Sequence, residues 1–417
     1  MMPSLLERDD ETLLKSLFSA ALRSAMPAGR FEGRLPDRPK GRTIVLGAGK
    51  AAASMAAAFE SAWGGPCEGL VVTRYGHRVP TQGIEVVEAS HPVPDAAGEA
   101  AARRILALAE SAGPDDLVVA LISGGASALL AMPAAGIAIE DKQALNRALL
   151  RSGAPIHEMN RVRKALSAIK GGRLLQAAHP ARVATYVISD VPGDDPAVIG
   201  SGPTIPDATD PDEVLSILRR YEITLEDRVL QAMEANRLQP QAGATATDIE
   251  MLATPMMALE AAAEAARAAG IEPIILGDAI EGEACEVARE HAKLALDLSP
   301  ERPVVILSGG ETTVTVRGAG RGGRNSEYLL ALALAMGGRS GISAIACDTD
   351  GIDGSEDNAG AWFDADILRS ATAKGIDLAA LLDRHDSYTA FEALDRLVVT
   401  GPTFTNVNDF RAILLRP

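Results

Sequence analysis

Lys50, Asp190, Arg324 and the acidic run Asp348, Asp350, Asp353, Glu356 and Asp357 are the residues whose types and spacing could do chemistry. Lys50 follows a glycine turn, Gly47 to Gly49, at the expected start of an alanine-rich helix, where an ammonium and a helix end together could hold a phosphoryl group. Arg324, like Arg321, sits in the glycine run Gly318, Gly320, Gly322 and Gly323, just ahead of the helix-patterned SEYLLALALAM. Such a loop is suited to an anion, because glycines let backbone N–H groups approach it unobstructed. Asp190 ends an apolar strand beside glycines, a plausible position for magnesium or a base. The aspartates from 348 onward lack the spacing of a calcium loop and suit a magnesium held mainly by water and phosphate, or a base for a hydroxyl. Cations on glycine loops and carboxylates in acidic loops make the kit of phosphoryl transfer, where positioning and charge neutralisation supply most of the catalysis.

The elements that must position these groups alternate between strand and helix. Residues 9–28 carry apolar side chains at helical spacing and read as a lead-in helix. RTIVLGAGKAAASMAAAFESA then opens a doubly wound parallel sheet as strand, turn and helix, continued by GLVVTR, IEVVEAS, a helix over DAAGEAARRILALAESA, and DLVVALIS. Ser123, Gly124 and Gly125 follow that last strand, and the same Ser-Gly-Gly follows PVVIL at Ser308 to Gly310, so two glycine loops are expected at carboxyl ends of strands. Residues 156–178 read as a helix with Asn160, Lys164, Ser167 and Gly171 on one stripe and Arg163 and Lys170 at its border. RLQPQAGATATD is the linker of the chain, which gives an α/β fold of two domains, 1–240 and 250–417, the second the smaller. Near the end, Thr403, Thr405, Asn406 and Asn408 offer hydroxyls and amides able to grip a small polar substrate.

With 47% hydrophobic and 23% charged residues the composition is that of a globular protein, and a net charge of −16 argues against a nucleic-acid partner. Three cysteines without paired spacing and the absence of any membrane-length apolar run suggest a reduced, cytoplasmic protein without a membrane partner. Six histidines without HxxxH spacing give no metal motif, although His91 in HPVPD could face a ligand. Gly47, Gly49 and Ala52 also satisfy a dinucleotide-type G-x-G-x-x-A pattern, but the next strand ends in Arg74 where an acidic residue would hold the ribose of NAD, although an arginine there would still permit NADP. Kinase, NAD(P)H-dependent reductase and non-catalytic nucleotide binder are the three readings left open by the residues.

GAGKAA, SGGASALL, NRVRKALSAIKGGRL, ISDVPGDDPAVIGSGPT, LSGGETTVTVRGAGRGGRNSE, DTDGIDG and GPTFTNVND, in that order, resemble the motifs of the glycerate 2-kinase family with a C-terminal MOFRL domain, which also goes under the older label of hydroxypyruvate reductase. The resemblance implies a Rossmann-like first domain, a MOFRL region over about 303–415, and ATP-dependent phosphorylation of D-glycerate at its 2-hydroxyl, with Mg2+ or Mn2+, in a cleft between the domains. It implies catalytic roles for Lys50, Arg324, Asp190 and Asp350, with Asp190, Asp348 and Asp353 toward the metal. Nucleotide and phosphate binding falls to Gly47, Gly49, Ser123, Gly124, Gly125, Lys164, Gly320, Gly322 and Gly323, and substrate binding to Glu311, Asn325, Asn406 and Asn408. Two residues depart from the family pattern: Phe404, where GPTGTN has glycine, and Ala165, where histidine is common.

Overall fold

Short runs with every residue buried mark the centre of each sheet: Thr43–Ala48 (β1) and Leu117–Ser123 (β4) in one, Ile342–Asp348 (β9) and Asp409–Leu415 (β12) in the other. A strand covered on both faces needs apolar side chains at successive positions, which is why β1 and β4 do not alternate, whereas β12 buries the charges of Asp409 and Arg411 as an ion pair. The structure is a computed structural model and describes residues 9–207, 210–237 and 248–417. The remaining strands are β2 (Glu68–Arg74), β3 (Ile84–Ala89), β5 (Arg182–Ile188), β6 (Asp248–Ala253), β7 (Glu272–Glu283), β8 (Val304–Thr313), β10 (Gly360–Phe363) and β11 (Leu397–Val398).

The first sheet has the order β3-β2-β1-β4-β5-β6, and the pairs β1–β2, β1–β4, β2–β3 and β4–β5 are parallel. This is the doubly wound order, with the reversal between β1 and β4, where open α/β sheets take their ligands. The second sheet runs β11-β10-β9-β12-β8-β7 and is mixed: β7 lies parallel to β8, while the β8–β12, β12–β9, β9–β10 and β10–β11 pairs are antiparallel. Against it packs the helix Arg324–Met336, whose positions from Asn325 to Ala333 are all buried, as expected of a helix apolar on every side.

Contacts divide the chain into two units, one of Pro27–Ser189 with Asp194–Leu252, the other of the chain up to Met26, Asp190–Gly193 and Ala253–Pro417. The lead-in helix, Asp10–Ala25, therefore groups with the second unit and not with the sheet that follows it in sequence. Its Asp10 binds the Arg416 guanidinium at 2.8 Å, and Thr405 Oγ1 donates to Ala25 O at 2.7 Å. Nearly all of the expected linker lies outside the described residues.

Two local expectations are corrected. The second Ser-Gly-Gly is not a loop but lies inside β8, where a Cβ on Gly310 (φ 116°) would come within 2.2 Å of Ile280 O on the bulged β7. The segment 156–178 is not one helix but two, Ile156–Ala165 and Arg173–Ala178. The first ends at its cap, Leu166, and the second starts only after Gly171 and Gly172 (φ 60° and 81°), so Ser167 and Gly171 lie in the connection and leave the expected stripe.

Candidate active site

In the first unit the loops after β1 and β4 are laced together. Lys50 N donates to Gly124 O at 2.8 Å, Ala51 N to Ser123 Oγ at 3.1 Å and Gly49 N to Val72 O at 3.1 Å. Gly49 (φ 131°) is needed for this approach, since a Cβ there would lie 2.1 Å from Ser123 Oγ, and one on Gly47 would lie 2.5 Å from Leu121 O. These glycines, with Ser123 and Gly124, thus serve the packing of loop on loop and fix the Lys50 backbone. Gly125 (φ 80°) leaves open the space over which the Lys50 stem and the His91 ring close, at 3.3 Å and 3.1 Å from where its Cβ would be.

His91 and Gly125 also line a cavity of about 290 Å³ at the carboxyl ends of β3 and β4. Lys142, Asn146, Arg163 and Lys170 line it too, and among the described residues no carboxylate does. The Lys170 ammonium is buried and donates to Ser127 O at 2.6 Å and Ser127 Oγ at 3.1 Å. Burial, and then the charges of Lys142, Arg163 and Lys164, hold its pKa well below the ordinary lysine value. The Lys142 ammonium is buried without a hydrogen-bond partner, and burial pushes its pKa down to about 8 against a small opposing effect of Glu99. Lys164, expected at a phosphate, pairs instead with Asp207 at 2.9 Å.

The second unit builds a separate constellation around Arg324, the first residue of its helix. Its guanidinium reaches Asp409 (2.9 Å), Asp348 (3.0 Å) and Glu311 (3.1 Å). Burial disfavours its charge, but Asp409, Asp348 and Glu311 outweigh that and raise its pKa. Asp409 is fully buried and also takes Asn325 Nδ2 at 2.7 Å and Arg411 Nη2 at 2.6 Å. Asn406 Nδ2 donates to Asp190 Oδ2 at 3.1 Å and Asn408 Nδ2 to Asp190 O, which joins three of the expected residues. Asp350 caps its own turn, its Oδ1 accepting from Ile352 N at 2.8 Å and its N–H donating to Asp348 Oδ1 at 2.9 Å.

The glycine run before Arg324 behaves differently from expectation. Asp353 Oδ1 accepts from Asn325 N at 2.9 Å, and its Oδ2 accepts from Ser326 N at 2.8 Å and Ser326 Oγ at 2.6 Å. The helix start has thus drawn in a carboxylate of the chain itself, the anion it favours. Gly320, Gly322 and Gly323 lie against Arg384, Ser387 and Asp353, with 2.4, 2.3 and 2.4 Å from a notional Cβ to the nearest atom, so they serve packing where a phosphate was expected. Asp353 is likewise spent on the helix. Among the described residues no group of three His, Cys, Asp or Glu is placed to hold a metal ion, so the trio Asp190, Asp348 and Asp353 does not fit a resident metal.

Sequence reasoning missed the helix Ile139–Ser152 that supplies Lys142 and Asn146, and it missed Asp409. Lysine on an amphipathic helix reads as solvated, and only the fold reveals that its ammonium is enclosed. The signal that could have found Asp409 is that it and Arg411 are the two charges of an otherwise apolar strand.

A doubly wound parallel sheet with a lysine fixed at its switch point, joined in sequence to a mixed α/β unit, defines the class. Residues 13–234 match the model of a domain of unknown function, DUF4147, and residues 304–409 match the MOFRL family. The chain is 36% identical to a Thermotoga maritima protein named D-glycerate 2-kinase, over 96% of this chain and 98% of that one. The crystal structure of a glycerate kinase from the same organism superposes with a TM-score of 0.88 at 36% identity, covering 98% of this chain and 99% of that one. An Agrobacterium vitis protein with the name "Putative hydroxypyruvate reductase" is 54% identical over 97% of this chain and 94% of its own length. The chain belongs to the glycerate 2-kinase family with a C-terminal MOFRL domain.

Proposed function

We propose that the protein is a glycerate 2-kinase that transfers the γ-phosphoryl group of ATP to the 2-hydroxyl of D-glycerate. The observation that carries this reading is the cluster of cations at the carboxyl edge of the first sheet: Lys50, held by Gly124 and lying over Gly125, beside a cavity lined by Lys142, Arg163 and Lys170. Phosphoryl transfer needs charge neutralisation on a polyanion, and lysines and arginines at the end of a parallel sheet supply it. In this reading Lys50 neutralises the transferring group. Arg324 is oriented by Asp348, Asp409 and Glu311, and Asn406 and Asn408 set the conformation of the Asp190 segment. Magnesium enters as MgATP, a substrate, since the carboxylates of the second unit are engaged in holding Arg324 and the helix start.

The reductase reading, suggested by the name of the Agrobacterium relative, meets a specific obstacle. In a dinucleotide site the second glycine lets the backbone approach the pyrophosphate, whereas here the space above Gly49 is taken by Ser123; Arg74, where an acid would hold the ribose, counts against NAD but not NADP. An ADP-release assay with D-glycerate, L-glycerate and tartronate, alongside NADH and NADPH oxidation with hydroxypyruvate, tests the proposal. ADP formation with D-glycerate is expected. Steady cofactor oxidation at a comparable rate, lost in Lys50→Ala, would reverse the assignment.

A further inference from the structure

We propose that the cavity bounded by His91, Lys142, Arg163 and Lys170 seats a nucleoside polyphosphate, whose phosphates provide the partner that the Lys142 ammonium lacks in the free protein. The proposal rests on the kinase reading and specifies where the phosphoryl donor lies.

An enclosed ammonium without a hydrogen bond is destabilising, and three cations that repel one another without a lining carboxylate add to the cost. Lys170 has only the neutral oxygens of Ser127, and Glu99 acts on Lys142 through space without a hydrogen bond. Such a site is complementary to an anion of high charge density. Pro92, Pro94, Ala128, Ala131 and Ile139 give the wall an apolar stretch that suits a base or ribose face, Gln143 and Asn146 add neutral polar groups, and a three-carbon acid would leave most of about 290 Å³ unfilled. The cavity opens at the carboxyl ends of β3 and β4, beside the strand-order reversal.

Proton linkage follows from the same arrangement. Glu99 from the helix Ala96–Glu110 acts on Lys142; Lys142, with Arg163 and Lys164 from the helix Ile156–Ala165, acts on Lys170; and His91 faces the same cavity from the loop after β3. Burial lowers both lysine pKa values, Lys142 to about 8, and arriving phosphate favours the ammonium form, so binding takes up protons in mildly alkaline solution.

The test is calorimetric titration of ADP and of inorganic tripolyphosphate, without acceptor, at about pH 8 in two buffers of different ionisation enthalpy, on the full chain and on Lys142→Met and Lys142→Gln. Both ligands should bind the parent protein with net proton uptake. Each variant should lose about tenfold or more in affinity for both, lose much of the uptake, and melt at a higher temperature in the free state. Parent-like ADP affinity in the variants, or a change confined to the KM for D-glycerate, would overturn the proposal. Because binding is read without turnover, a protein that fails to phosphorylate D-glycerate but loses ADP on Lys142 substitution would retain this site and forfeit only the acceptor assignment.

Discussion

Lys50 and Phe404 show what one position can be asked to do. Lys50 has its backbone fixed by Gly124 and its stem laid over Gly125, so Lys50→Ala should leave the fold intact and lower kcat by about 10²–10³ or more, the usual loss when a transition-state charge partner is removed. An unchanged kcat in the ADP-release assay would remove it from the mechanism. Phe404 occupies the family's glycine position with φ 60°, a conformation that costs an L side chain roughly 1–2 kcal/mol. Phe404→Gly is therefore expected to raise the urea midpoint, by an amount equivalent to about 1 kcal/mol once the added freedom of the unfolded chain is subtracted. A lowered midpoint would mean that the ring's packing outweighs the strain. Both residues stood out in the sequence, Lys50 by its neighbours and Phe404 as a departure from pattern. Lys142 did not, because burial of an ammonium leaves no mark in local sequence.

The helix Arg324–Met336 carries two predictions of its own. With three donors on its carboxylate, Asp353 holds the helix start, and Asp353→Ala should cost about 1–3 kcal/mol of stability while the folded fraction keeps a kcat near the parent value. A large fall in kcat without loss of stability would return Asp353 to the chemistry. On the same helix Tyr328 OH lies 2.8 Å from His291 Nδ1, and burial, then the charge of Arg411, pushes His291 down to about 4. The unfolded chain, with the ordinary value of 6.5, binds more protons between those limits, so stability is lost as pH falls from 6.5 to 4. His291→Gln should flatten thermal melts across that window, and an unaltered profile would assign the loss elsewhere. The element itself was legible from its apolar run, but the identity of the anion at its start was not. Glycine, arginine and a helix start predict that an anion is favoured without saying whether the chain supplies it, and Asp353 lies 29 residues away from Arg324 in sequence.

For the whole molecule the decisive measurement is which cosubstrate is consumed. ADP release should be abolished by excess EDTA and restored by Mg2+ or Mn2+, with the rate following the concentration of the metal–nucleotide complex; full activity in EDTA would contradict a MgATP substrate. The strand order of the first sheet was foreshadowed by its alternation of strand and helix. The mixed second sheet was less so, because antiparallel β12 joins β8 and β9 from far along the chain, and buried antiparallel strands read in sequence like parallel ones.

The lead-in helix belongs to a unit whose other pieces include the last strand, and for a chain made from one end to the other this sets a waiting time. At roughly 5–20 residues per second, on the order of 20 s or more separates synthesis of Asp10–Ala25 from that of its partners near Arg416. Through that interval the first sheet can assemble while Phe18 waits for Phe410, whose ring it meets at 5.7 Å, and Asp10 for Arg416. The nascent protein thus carries an adhesive leading segment, and chaperone demand should fall when that helix is transplanted beyond the final strand.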